Sequence, residues 1–203
     1  MDNVKVTLVH HTPNYMELIA GAMSKCYEKQ ATPAAVIKHG IEAGHLSILE
    51  HAQATLDIEC SLAVLGQLTR HRYLSPTVKS TRGAQFKPEF VVPVTIRKMG
   101  IEHIYRRNME LDFLLYNALI EEGVPPEDAA YVLPKGTMTK IRLTGSLRSW
   151  YEYLPKRVCR RAMPEHRVVA GLIKKALRKA MPEIFDRNFR DCQNCKEHGC
   201  SFH

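Results

Sequence analysis

The chain has 203 residues, 45% of them hydrophobic, and carries 29 lysines and arginines against 21 acidic residues for a formal charge of +8. That length supports one substantial core in a single domain, and the charge points to an anionic partner without separating a nucleotide from a polynucleotide or an acidic cofactor. No stretch approaches the roughly 20 apolar residues of a membrane span and the start "MDNVKVTLVHH" lacks a signal-peptide pattern, so a cytoplasmic protein is expected, with Cys26, Cys60 and Cys159 as reduced thiols and only the tail cysteines outside that picture.

Val4, Val6 and Leu8 alternate with Lys5 and Thr7 and predict a half-buried strand, after which Thr12-Pro13-Asn14 opens a helix over "YMELIAGAMSKC". Thr32 followed by Pro33 is an N-cap with proline at the first helical position, and that helix runs to Gly44, with His45 just beyond. From Ala52 to Cys60 apolar and polar residues alternate strictly, which predicts a strand with one face in the core. Ser61 can cap the next helix, "LAVLGQLTRHR", and Pro76 marks a loop beyond it.

A long amphipathic helix is predicted from Ile101 to Glu122, with Ile104, Leu111, Leu115 and Ala118 as its packing face. Residues Thr137 to Thr144 read as another strand, and Gly145-Ser146 leads into "LRSWYEYLPKRVCRRAMPEHRVVAGLIKKALRKAM", where Pro164 suits a first helical turn. There are no internal repeats, no GxGxxG and no phosphate-cradling GxxxxGK[ST]. Short strands among longer helices make the fold class α+β, a single domain over 1–186 with a Cys/His-containing tail over 187–203.

Four groups of residues can carry chemistry. Arg70, His71, Arg72, Ser80 and Arg82 could form an anion pocket, since guanidinium forks hold phosphate bidentately and serine adds a donor; the alternative is a solvated basic turn of the kind a helix dipole favours at its C-terminus. "GHLSILEH" places His45, Ser47, Glu50 and His51 ahead of a strand, where metal ligation lacks a third well-spaced donor and a core or cap role is expected for His51. Arg148 and Glu152 share a helix face, and Pro155 should kink the chain and displace Arg157 from the regular surface. Cys192, Cys195, Cys200 and His203 form a C-x2-C-x4-C-x2-H pattern that tetrahedral zinc would accept, with His198 as a spare donor; a loose tail with free or paired thiols is the alternative.

Together these segments resemble a family. "RHRYLSPTVKS" fits the RHR, seven residues, Ser signature of the flavin-dependent thymidylate synthases. "VKVTLVHHTPNYMELIAGAMSKCY", "GHLSILEHAQATLDIE", "YVLP" and "RSWYEYLPKRVCRRA" resemble that family's other segments in order, over roughly residues 4 to 182. The resemblance implies an antiparallel-type sheet flanked by long helices and a homotetramer. Its reaction would be reductive methylation of dUMP to dTMP, with FAD, methylenetetrahydrofolate as carbon donor and NADPH as reductant. Carried over by position, Ser47, Glu50, Arg70, His71, Arg72, Ser146, Arg148 and Glu152 would lie on FAD. Gln67, Arg70, Lys79, Ser80 and Arg82 would hold the nucleotide, and Arg157 would act on the uracil ring by favouring its ionised form. Reduced flavin would supply the hydride, so no cysteine need be catalytic.

The sequence departs from the family at four positions near the expected ligands: Ala130 replaces an arginine, Val78 a glutamate or glutamine, Gly83 an aromatic residue and Ser146 an asparagine. These leave open hydroxymethylation of dUMP, or action on another pyrimidine nucleotide. A basic nucleic-acid-binding protein with a metal-stapled tail would explain the charge, but not His45, Glu50 and Arg157 together, and aromatic residues make up only 7% of the chain.

Overall fold

A computed structural model describes residues 3–25, 31–195, 197, 200 and 201. The centre of the fold is the antiparallel pairing of β2 (Gln53–Ser61) with β4 (Met138–Ser146), in unbroken register from Gln53 opposite Ser146 to Ser61 opposite Met138. β1 (Lys5–His11) adds to the far side of β2, with a bulge between Leu8 and His10, and β3 (Ser75–Val78) adds to β4, giving the order β1-β2-β4-β3. The period of two seen in the sequence sorts the faces. Ala54, Leu56, Ile58, Cys60, Ile141 and Leu143 point into the core, whereas Asp57 and Arg142 face outward and meet in two 2.7 Å bonds.

β3 corrects the expectation of a loop at Pro76. A proline cannot donate to a ladder, and β3 is an edge strand bonded to β4 alone, so Pro76 costs the sheet no hydrogen bond on its open side. The "RHRYLSPTVKS" segment is therefore a tight turn followed by an edge strand, not one continuous loop.

Helices cover the inward face of the sheet. α1 (Tyr15–Ser24) and α2 (Pro33–Glu42) pack side by side, α2 starting where the Thr32 hydroxyl accepts a 3.4 Å bond from Ala35 N. A 3-10 turn, Leu46–His51, leads into β2, and α3 (Leu62–Leu68) follows it directly, capped by the Ser61 hydroxyl accepting from Val64 N at 3.2 Å. α7 (Leu147–Val158) likewise leaves β4 without a linker, and its Trp150, fully buried, donates to Ala54 O at 3.0 Å. α8 (Pro164–Ala180) and the short α9 (Pro182–Phe185) complete the layer. Just past α9, Phe189 is buried and Arg187 donates to the Tyr151 hydroxyl at 2.8 Å.

One buried carboxyl joins these layers. Glu165, 5% exposed in the first turn of α8, accepts from Ser61 N at 2.8 Å and from the Ser61 hydroxyl at 2.7 Å. The group that starts α3 is thus tied to the group that starts α8.

α4 (Val94–Lys98), α5 (Glu102–Glu121) and α6 (Pro126–Ala129) form a second, smaller cluster, in which Met109, Phe113 and Tyr116 of α5 pack on Phe86 and Ala129. This reverses the expected packing face. Ile104, Leu111 and Leu115 are 53%, 52% and 49% exposed, and Ala118 is exposed with them. α5 is apolar on two opposite faces, and hydrophobic spacing alone does not say which one its own chain covers.

Candidate functional site

Pro155 lies inside α7, which nonetheless continues to Val158, so Arg157 stays helical instead of being displaced. Five residues past Glu152, a helix turns its next side chain about 140° away, which takes Arg157 off the Arg148–Glu152 face and toward the end of α3. There Arg157 Nε donates to His71 Nε2 at 2.8 Å, and Nη1 donates to Gln67 Oε1 at 3.3 Å. Among the described residues no carboxylate lies within ion-pair distance of this guanidinium, so its positive charge is held by neutral acceptors only.

Behind this pair stand two residues the sequence reading did not single out. His166, fully buried in α8, approaches Gln67 Oε1 with Nδ1 at 3.1 Å and the Tyr153 hydroxyl with Nε2 at 3.0 Å. The Tyr153 ring packs edge-on against His71 with centroids 4.8 Å apart. The available signal was a histidine two residues after Pro164 in "MPEHR", on the same face as the apolar run of α8; such a position reads as core unless its partners across the chain are known.

Both histidines are neutral at physiological pH. Burial, and then the Arg157 charge, push His71 down to about 4 and His166 down to about 3. The unfolded chain therefore binds more protons than the folded one below about pH 6.5, so this contribution to stability is whole above that pH and is lost as pH falls toward 4. Urea unfolding midpoints should decline between pH 7 and 4.5, reflecting an unfolding free energy that falls by up to about 1.4 kcal/mol per pH unit for the buried His166 and by less for the part-exposed His71. A midpoint flat over that range contradicts the assignment.

The residues expected on FAD fall into two places. Ser47 and Glu50 are exposed on the 3-10 turn, and Arg148 joins that turn to α7 through Glu50 (3.4 Å) and Glu152 (2.8 Å). Arg148 and its two carboxylate partners are left part in solvent, where they can be re-partnered by a bound group at little cost. Ser146 begins the same helix, its hydroxyl accepting from Ser149 N at 3.1 Å, a capping duty that asparagine performs equally well. Alongside, a groove of about 990 Å³ is lined by Thr12, Asn14, Leu18, Ala22 and His51 among others, and His51 is exposed there at the end of the 3-10 turn, so of the expected core or cap role the core half does not hold. Arg70 and Arg72 project from the turn after α3 at the other place, beside His71.

The expected phosphate holders are a third group. β3 alone spans about 13 Å, and it separates Arg70–Arg72 from Lys79, Ser80 and Arg82. Ser80 Oγ accepts from Arg82 N at 3.1 Å and Gly83 N at 3.3 Å, Arg82 pairs with Glu127 at 3.8 Å, and Lys79 donates to Gln85 O at 2.7 Å while lying over the Phe86 ring. Val78 is half-buried on β3, and Ala130 closes α6. Within one chain, then, no hydrogen bond or ion pair among the described residues joins the loop 79–83 to Arg157 or Gln67.

In the tail, Cys192, Cys195 and Cys200 are free thiols, as are Cys60 and Cys159. Among the described residues no three histidine, cysteine or acidic groups are placed to hold a metal ion, so the zinc expectation finds no donor set there; His198, His203 and Cys26 lie outside the described residues. No helix among the described residues is long and apolar enough to cross a membrane.

Comparison with known proteins gives a consistent picture. The family model described as thymidylate synthase complementing protein matches residues 7–183. A flavin-dependent thymidylate synthase of Sulfurisphaera tokodaii is 34% identical over 196 residues, covering 90% of this chain and 76% of that protein. One of Geobacter sulfurreducens is 32% identical over 198 residues, covering 90% and 85%. A solved structure, the UMP/dUMP methylase PolB of Streptomyces cacaoi bound with 5-Br dUMP, superposes with a TM-score of 0.80 at 21% identity, over 90% of this chain and 93% of that one.

Proposed function

Since the chain belongs to the thymidylate synthase complementing protein family, the flavin-dependent thymidylate synthases, we propose that it is an FAD-dependent methyltransferase that converts dUMP to dTMP. Methylenetetrahydrofolate is its carbon donor and NADPH its reductant, and the reaction takes place in the cytoplasm.

The observation that carries this reading is the Arg157 guanidinium, fixed between His71 and Gln67 and, among the described residues, paired with no carboxylate. A charge left uncompensated in a half-buried place is available to an anion, and a pyrimidine ring that loses its N3 proton is such an anion. Arg157 stabilises that ring charge and so raises electron density at C5, while Gln67 and His71 keep the guanidinium from swinging into solvent. Bound FAD supplies the hydride-transfer chemistry. Its proposed holders are Ser47, Glu50, Arg148 and Glu152 on one rim and Arg70, His71 and Arg72 on the other. The buried Cys60 thiol, pushed up to about 12 by burial, is no nucleophile, in keeping with a reaction that needs none.

The separation of the phosphate loop from Arg157 supports a site completed across subunits, and hence the homotetramer. Lys79, Ser80 and Arg82 of one subunit would hold the phosphate of a nucleotide whose ring meets Arg157 of another. The outward apolar face of α5, with Leu114 at 64% exposure beside Leu111 and Leu115, supplies surface that self-association would bury. Replacing Leu111 and Leu115 together by Asp should convert the tetramer to a smaller species in light scattering and remove turnover with it.

The test of the reaction is incubation with dUMP, methylenetetrahydrofolate and NADPH, followed by mass analysis of the nucleotide. A gain of one methyl group is expected. A hydroxymethyl product would keep the cofactor assignment and overturn the product, as the departures at Val78, Gly83 and Ala130 allow. Colourless protein that cannot be reconstituted with FAD, yet binds oligonucleotides with a steep salt dependence, would sink the flavoenzyme reading.

A further inference from the structure

We propose that His166 is a positioning residue: through Gln67 it fixes the guanidinium of Arg157 in the orientation that meets the nucleotide ring, and Tyr153 in turn fixes His166. The inference rests on the dUMP reading of the Arg157 site.

The hydrogen-bond inventory sets the direction of every link. Gln67 Oε1 can only accept, so His166 Nδ1, 3.1 Å away, carries the proton and donates to it. His166 Nε2 is then bare and accepts from the Tyr153 hydroxyl at 3.0 Å, a phenol whose ionisation burial opposes. Gln67 Oε1 spends its other lone pair on Arg157 Nη1, and Gln67 Nε2 points the opposite way, toward Met163 Sδ at 3.2 Å. This last contact matters. A glutamine amide can flip, and a flipped Gln67 would set N–H groups against both the guanidinium and the His166 N–H. The His166 N–H, the closer and more buried of the two donors to Oε1, holds the acceptor-forward orientation together with Arg157.

The chain of contacts is also suited to this role by its burial and its neutrality. Tyr153 and His166 are 1% and 0% exposed, whereas Gln67 and Arg157 are part-buried, so the two inner residues are set by packing and the outer two take their geometry from them. A carboxylate in place of Gln67 would hold Arg157 more tightly but would neutralise the charge the ring needs. A neutral donor that acts one residue removed holds the position and leaves the charge free. Glu165, next in sequence, bonds to Ser61 and not to this network, so the two neighbours divide anchoring from positioning.

Calorimetric binding of dUMP to the holoenzyme separates this role from a structural one. His166→Leu should weaken dUMP about tenfold and lower kcat, whereas His166→Asn, whose side-chain amide can again donate to Gln67 Oε1, should bind within about threefold of the parent. In an Arg157→Ala background, where dUMP is still held by its phosphate, His166→Leu should change the affinity no further. Losses that multiply in the double variant, an Asn variant as weak as the Leu variant, or a Leu variant that binds normally would each overturn the proposal. If the parent protein does not bind dUMP, the functional reading fails, and the positioning claim is read without substrate. In ¹⁵N-arginine spectra the exchange-protected Arg157 Nε–H should then persist in His166→Asn and be lost in His166→Leu; equal protection in both variants overturns it.

Discussion

Arg157→Ala is expected to abolish product formation, by about 10²–10³-fold or more in kcat, while the protein remains folded and retains its yellow flavin. The size follows from the proposed role: among the described residues the guanidinium has no carboxylate partner, and the network around it holds no second cation that could take its place against a ring anion. The retained fold follows from its partners. When the guanidinium goes, Gln67 Oε1 still accepts from His166, and only the part-exposed His71 Nε2 loses a donor. Arg72→Ala should behave differently, losing flavin and turnover together, because Arg72 is exposed on the turn proposed to hold the cofactor and has no role inside the network. Absorbance of the purified variants with single-turnover rates decides the matter. An Arg157→Ala enzyme that still turns over would show that the ring charge is met elsewhere.

The fold was readable wherever local chemistry specifies structure. Thr32, Ser61 and Ser146 stand immediately before helices, and the two long strands alternate over most of their length, departing only where Cys60–Ser61 and Met138–Thr139 are buried in succession. What escaped was structure decided by distant partners. Ser75–Val78 is a strand because β4 offers an unpaired edge, a fact nothing in "SPTV" records. α5 presents two apolar faces, and which one meets Phe86 depends on where residues 80–90 return across the molecule.

The candidate site divides in the same way. A motif such as RHR with a following serine is local and can be recognised, and so can Arg157, although it leaves the Arg148–Glu152 face by ordinary helical spacing and not through a kink at Pro155. The residues that orient it cannot. Gln67 and His166 are 99 positions apart, and His71 and Arg157 are 86 apart, so each pair exists only because α3, α7 and α8 converge. Even the recognised motif is split in space, because β3 places its arginines and its serine at opposite ends of a strand. That split is what makes the assembly part of the functional argument instead of an addition to it.

The convergence of α3 with α8 depends on Glu165, and Glu165→Ala is expected to be the most destabilising single substitution near the site. Two donors, Ser61 N–H and Ser61 Oγ–H, lose their acceptor in a place water does not reach, at about 3 kcal/mol for the pair. For a chain of this length that corresponds to a fall of roughly 6–12 °C in Tm. Glu165→Gln keeps one acceptor oxygen but turns an N–H₂ toward Ser61, so it should lie between the two, at about 1–2 kcal/mol. The loss need not stay local. Ser61 also caps α3, whose far end carries Gln67, and His166 follows Glu165 directly, so loosening this anchor should weaken dUMP binding even in molecules that remain folded. Arg157→Ala should lose rate with little change in Tm, whereas Glu165→Ala should lose Tm first and affinity with it. Thermal unfolding and dUMP titration of the two variants side by side test this, and a Glu165→Ala protein that melts with the parent would mean that the start of α8 is held in place by packing alone.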